Sequence, residues 1–285
     1  MSTSENVRST AYRRQGPTKR GQSGITVKKV YLFIYNLLST LAWSYLLYVT
    51  ILHLAGVIPP LSPFQSTASA KASLLVKTLI NQLPLTLRNA SPLTQAKARV
   101  WENIPSEVVK PYFERATTLY ARIGPEVALI QTTAILEVVH SLLGLVRSPF
   151  TTTLAQVASR LWTVWGIVER FPQTHSNPLY ALMVIAWCKA EIIRYTFYAL
   201  SILGYEPYSI KWLRYSAYYV NYPIGASSEA FLAFSTLPPL TTISWTLDEY
   251  FRLILFLLWW PALHGLMSYM SSQRRKVLFG KTKTA

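Results

Sequence analysis

With only one cysteine, Cys188, the chain can form no intramolecular disulfide and no cysteine-based metal site. Acidic side chains are scarce as well, 12 Asp and Glu against 28 Lys and Arg in 285 residues. Charged residues of both signs make up 14%, where a soluble domain carries about 25%. That shortfall excludes water as the solvent over much of the surface. A cleavable leader is not expected either, because residues 1–29 are polar and basic and the apolar run after them is too long for an h-region.

What is present fits lipid. Hydrophobic residues make up 51% of the chain, with nine Trp and eighteen Tyr, and amphipathic rings collect at membrane interfaces. The net charge of +16 sits in the two tails and one long loop. No basic-aromatic module accompanies it, so we read it as orientation and attraction to anionic lipid, not as nucleic-acid binding.

The expected fold is all-α, a polytopic membrane protein built as a six-transmembrane-helix bundle. Residues 1–29 form a disordered basic tail, and 30–58 the first transmembrane helix. Residues 59–124 form a long polar loop rich in proline, with short interfacial helices expected at 71–83 and 94–103. The region 125–270 holds five more spans, near 126–146, 154–171, 179–203, 212–235 and 249–270, and 271–285 is a basic tail. Six spans put both termini on one side, and the basic tails place that side in the cytosol. The loop 59–124 is then lumenal, and long enough to escape the positive-inside rule despite its own basic residues. Its sequon at Asn89 is followed by Pro92, so poor glycosylation is expected. Lys281 and Lys283, three and five positions from the last residue, resemble a dilysine retrieval signal of endoplasmic reticulum membrane proteins.

Ionisable groups inside spans are costly and by default face the bundle interior. Here they are Glu137 and His140, Arg160, Glu191 and Arg194, and Arg214 and Glu229. Mutual pairing is their plain role; Glu191 and Arg194, three apart, can pair on one helix. Glu137 and His140 share a face, but nothing near them completes a metal site. Cys188 and Arg194 have the C-x5-R spacing of tyrosine phosphatases. The intervening residues lack glycine and lie in an apolar helix, where the amides that would cradle phosphate are already bonded.

Tyr222-Pro-Ile-Gly-Ala-Ser-Ser-Glu229 interrupts a spanning pattern with Pro223 and Gly225. In a straight helix Tyr222 and Glu229 share a face about 10 Å apart, too far to serve one reacting centre. A kink at Pro223 would let them converge. A hydroxyl and a carboxylate meeting in a dry cavity are the parts of a general acid–base site.

This segment resembles the active site of the very-long-chain (3R)-3-hydroxyacyl-CoA dehydratases, formerly called tyrosine-phosphatase-like. Leu136-Glu-Val-Val-His140, Gly144-Leu-Val-Arg-Ser-Pro149, Ser159-Arg160 and Glu191-Ile-Ile-Arg-Tyr195 are similar to that family in the same order, over roughly 125–240. The loop 59–124 departs from it by its length. The resemblance implies removal of water from a (3R)-3-hydroxyacyl-CoA to give a trans-2-enoyl-CoA, the third step of very-long-chain fatty acid elongation. It implies Tyr222 and Glu229 as the catalytic pair, with no metal or other cofactor. Glu229 is assigned as base at C2 and Tyr222 as donor to the leaving oxygen; the reverse, or Glu229 polarising Tyr222, stays open. Arg160 and Arg194 would orient the thioester. Arg147, Lys211 and Arg214 fall on the cytosolic side, as phosphate contacts or as ordinary interfacial cations. The expected partners are the acyl-CoA substrate, membrane lipid and other fatty acid elongase components. Two other classes compete. A transporter or channel would use the broken helix and buried charges, but no internal repeat relates the halves; a non-catalytic scaffold of the same family would have no need of both Tyr222 and Glu229.

Overall fold

A computed structural model describes residues 26–58, 108–146, 148–239 and 244–280. The interfacial helices expected at 71–83 and 94–103, Asn89, Arg147, the dilysine pair and nearly all of tail 1–29 lie outside the described residues.

Among the described residues the chain is helical, with no strand. The helices are α1 (Val27–Ala55), α2 (Lys110–Ala116), α3 (Leu119–Thr132), α4 (Ile135–Leu142), α5 (Phe150–Leu161), α6 (Leu179–Ile202), α7 (Tyr208–Ser216), α8 (Tyr218–Phe234) and α9 (Leu247–Leu278). A π-helical segment, Trp162–Val168, continues α5.

Local chemistry sets the ends. Thr26 caps α1 through its hydroxyl, and Gly56 closes it at φ +76°, in the left-handed region. A side chain on Gly56 would also strike the Arg115 guanidinium, whose Nη1 donates to the Leu54 carbonyl at 2.8 Å. Thr246 and Glu249 form a reciprocal capping box at the start of α9.

α6 is the central element, packed against α1 on one side and α8 on the other. Trp187, Tyr180, Met183 and Val184 of α6 are fully buried with Leu46 of α1, Leu119 and Ile123 of α3, Ile167 and Leu232. Contacts at the helix ends fix the running directions. Lys28 at the start of α1 reaches the Gly144 carbonyl after α4, and Tyr35 of α1 meets Tyr195 near the end of α6. At the opposite end Leu54 meets the α2 turn, Arg170 bonds Asp248 at 2.7 Å, and Arg252 donates to the Thr236 carbonyl at 2.6 Å. Arg274 donates to Ser216, returning α9 to the first end. Thus α1, α3–α4, α5 with its π segment, α6, α7–α8 and α9 alternate in direction.

Several expectations need correction. Among the described residues two helices are long and apolar enough to cross a membrane, Val27–Ala55 and Leu247–Leu278. The other passes are shorter pieces, and α6 carries Lys189, Glu191 and Arg194 near its middle. The span expected at 126–146 is two helices meeting at Thr133–Ala134, and it begins at Leu119. Residues 110–124, read as loop, are mostly helical and pack on α1 and α6. The break expected at Pro223 and Gly225 lies instead at Ala217; α8 runs unbroken through Pro223. A proline ring disturbs the turn before it, by displacing the carbonyl four residues back, so the discontinuity falls upstream.

Candidate active site

α8 approaches α6 closely because Gly225 is there: a Cβ at that position would lie 3.4 Å from the Ala186 Cβ. A larger side chain would push the helices apart. On α6 the residues Trp187, Glu191, Arg194 and Tyr198 follow one another at i, i+4, i+7 and i+11, which places them along one face. They form a polar seam in an otherwise apolar helix.

Glu229 is buried on α8, and the indole Nε1 of Trp187 donates to its Oε1 at 2.6 Å. Trp187 is itself 2% exposed. The Arg160 guanidinium lies 5.3 Å from the indole ring centroid, and no hydrogen bond links it to Glu229. Arg160 is turned instead to Glu191, with which it forms an ion pair. Arg194 donates from Nε to Glu191 Oε2 at 2.6 Å and from Nη1 and Nη2 to the two oxygens of Glu137, each at 2.6 Å. Tyr195 also donates to Glu137. Glu137, Arg194, Glu191 and Arg160 therefore form one chain of charges that ties α4 and α5 to α6.

Three carboxylates share this seam with two arginines. Arg160 pairs with Glu191 and Arg194 with Glu137 and Glu191, while Glu229 is held by a neutral N–H. A carboxyl group with one neutral donor and no direct cation has an oxygen left for proton transfer. The other side chains weighed as reactive groups, and set aside on sequence grounds, are engaged elsewhere. His140 Nε2 is 2.7 Å from the Tyr31 hydroxyl, and Cys188 is fully buried in the middle of α6. Cys188 and Arg194 lie in one unbroken helix, so the C-x5-R spacing makes no phosphate loop. An apolar cavity lined by Leu54, Tyr112, Phe113, Leu182 and Ile185 opens on the opposite face of α6 from Glu229.

Tyr222 is half-buried on α8, its ring 5.7 Å from that of Tyr218. It stands two turns from Glu229 on the same face, about 10 Å along the axis, and no hydrogen bond links the two side chains. Between them this stripe carries only Gly225 and Ala226. One turn beyond Tyr218, across the break at Ala217, Arg214 lies against Tyr198, its guanidinium 5.9 Å from the ring centroid. The sequence did not single out Trp187. Its only signal is the i−4 spacing to Glu191, which any buried aromatic in this helix could share.

Among the described residues the chain is thus all-helical, with a buried carboxylate and a half-buried phenol on a helix packed antiparallel to a polar seam. Residues 131–280 match the family described as protein tyrosine phosphatase-like protein, PTPLA, and the chain belongs to that family. It is 39% identical over 180 residues to very-long-chain (3R)-3-hydroxyacyl-CoA dehydratase PASTICCINO 2A of Oryza sativa subsp. japonica, across 59% of this chain and 81% of that protein. A probable very-long-chain (3R)-3-hydroxyacyl-CoA dehydratase of Schizosaccharomyces pombe is 42% identical over 149 residues, 52% of this chain and 71% of that protein. Very-long-chain (3R)-3-hydroxyacyl-CoA dehydratase 2 of Homo sapiens is 35% identical over 192 residues, 62% of this chain and 76% of that protein. No solved structure matches the chain.

Proposed function

We propose that this chain dehydrates a (3R)-3-hydroxyacyl-CoA to the trans-2-enoyl-CoA in very-long-chain fatty acid elongation. The observation that carries the reading is Glu229, buried, held by one neutral donor, and placed two turns from Tyr222 on a stripe otherwise lined by glycine and alanine. The dehydratase names of its relatives support the same chemistry.

In the proposed reaction the substrate's C2 and C3 lie over Gly225 and Ala226, between carboxylate and phenol. Glu229 takes the C2 proton, which the thioester has made acidic. The electron pair forms the C2–C3 double bond as the C3–O bond breaks, and the oxygen leaves as water with the proton from Tyr222. Return of the proton from Glu229 to Tyr222 resets the pair, so no net proton is consumed. Trp187 fixes Oε1 and leaves Oε2 to act as base. Arg160 keeps guanidinium N–H groups beyond the one on Glu191, and we assign it the thioester oxygen. Arg194, with every nitrogen bonded to a carboxylate, holds the seam together and acts on substrate only through Glu191.

The alternating passes support a six-span arrangement in the endoplasmic reticulum membrane, with both termini in the cytosol, the acyl tail among the helices and the coenzyme A head at the cytosolic end. The same reading divides the chain into the tail 1–29, the span 30–58, the lumenal loop 59–124, the catalytic region 125–270 and the tail 271–285, with its helical part entered earlier, at Lys110. Other elongase components are its expected neighbours. Purified protein incubated with a long-chain (3R)-3-hydroxyacyl-CoA, with no added metal or nucleotide, should release the enoyl-CoA. Absence of product over a range of chain lengths would overturn the proposal in favour of transport or scaffolding.

A further inference from the structure

Four buried or half-buried arginines of this fold are neutralised by carboxylates. Arg160 pairs with Glu191, Arg170 with Asp248, Arg194 with Glu137 and Glu191, and Arg252 with Asp248. Arg115, Arg122, Arg214 and Arg274 are half-buried and form no ion pair among the described residues; Arg115 donates to the Leu54 carbonyl and Arg274 to Ser216, while Arg214 lies at the end of the α6–α8 seam. Its guanidinium sits 5.9 Å from the Tyr198 ring centroid and 6.0 Å from that of Tyr215. The nearby carboxylate, Glu206, is turned to Lys211 at 3.8 Å and accepts from Ser201 at 3.0 Å. Withdrawing a cation from water without an anion is costly. A site that does so repeatedly in folding gains most from a ligand that supplies the missing charge.

The position of Arg214 says which ligand. α6 and α8 run antiparallel, with Trp187 against Glu229 at one level and Tyr198 against Arg214 at another. Eleven residues of α6 separate those levels, about 16 Å at helical rise. The face between them is the polar seam. An extended chain with its thioester at Glu229, laid along this seam toward the end where α1 starts and α9 finishes, brings a group to Arg214 at the length of a pantetheine arm. Lys211, one turn earlier on α7, stands on the same face. Guanidinium is suited to phosphate by its planar fork of donors, and an ammonium one turn away adds a second charge.

We infer that Arg214, with Lys211 and the Tyr198 ring, forms the anchor for the phosphates of coenzyme A at the mouth of the α6–α8 seam. The anchor rests on the dehydratase reading for its ligand but not for its geometry. The same cationic pair could receive the phosphate of an anionic lipid headgroup, and the test separates the two sources.

The protein in nanodiscs of neutral phosphatidylcholine is assayed with a 3-hydroxyacyl-CoA and with the same acyl chain as its N-acetylcysteamine thioester, which has no phosphate. In Arg214→Gln the wild-type preference for the coenzyme A thioester should fall by about 10- to 100-fold, the worth of one charge-assisted bond. The loss should appear in KM, with partial recovery in Arg214→Lys. Equal loss on both thioesters would overturn the anchor, giving Arg214 a role in folding or in the action of Tyr222. A loss seen only in discs containing phosphatidylserine would also overturn it, in favour of a lipid phosphate. Calorimetric titration with free coenzyme A tests the anchor even if no turnover is found. Binding that weakens in Arg214→Gln supports it, while no binding by wild type, or equal binding by both, rejects it.

Discussion

Glu229 meets an indole N–H where a buried carboxylate would ordinarily meet a cation, and this difference decides what the residue can do. A direct pair with Arg160 would bind the carboxylate oxygens to donors and blunt it as a base. Glu191 takes the guanidinium instead, and the Trp187 indole holds the Glu229 carboxylate. Trp187 is a positioning residue on this account. Trp187→Phe keeps an aromatic ring and removes the donor, so kcat should fall by about 10- to 100-fold while KM and thermal stability stay near wild type. Trp187→His, which restores a ring N–H, should recover part of the rate. A fall in stability with kcat unchanged would make Trp187 a packing residue only. At this scale the sequence pointed to the proposed pair, Tyr222 and Glu229, and was silent about Trp187. Tyr222 and Glu229 stand out because polar groups are rare in spanning segments, whereas one tryptophan among nine does not.

The elements are tied by the charge chain more than by apolar contact at the α4–α5–α6 junction. α4 is a short helix of eight residues, marginal on its own, and Glu137 is its anchor to α6. Removing one member of a buried ion pair leaves a charge without a partner, at a cost of about 3–5 kcal/mol. Glu137→Ala should therefore lower stability by about that amount in a reversible denaturation assay, and the double variant Glu137→Leu, Arg194→Leu should lower it less than Glu137→Ala alone. Additive losses would show that the chain is not a coupled unit. The sequence located most helices to within a few residues, since apolar runs and Pro or Gly punctuation mark them. It misplaced the discontinuity near Pro223 because periodicity does not report that the strain falls on the turn before a proline. It missed α2 and the start of α3, whose Lys110, Arg115 and Arg122 read as loop. Arg115 folds its charge back onto the Leu54 carbonyl at the end of α1, a tertiary contact that no local pattern contains.

At the scale of the whole molecule, apolar residues turned outward define the environment. Leu38, Leu41 and Tyr48 of α1 and Ile254, Leu257 and Leu258 of α9 are all exposed, as expected of helices whose solvent is hydrocarbon. The alternation of passes groups the start of α1 with the end of α9, so tags on both termini should be digested when sealed microsomes are treated with protease, and the stretch 59–107 should be protected. Protection of either tag would break the six-span arrangement. Composition carries the proposed lipid environment, and two long apolar helices among the described residues agree with it. The proposed count of six spans has less behind it, because among the described residues only α1 and α9 are apolar enough along their length to cross a membrane.

The account depends on a phenol and a carboxylate acting from the two ends of one short stripe on α8. The direct measurement is the rate of enoyl-CoA formation by wild type, Tyr222→Phe and Glu229→Gln, each verified as folded by its melting temperature. Either variant should lose about 10²- to 10⁴-fold in kcat, the contribution of a positioned acid or base. Both variants working at the wild-type rate would contradict the account.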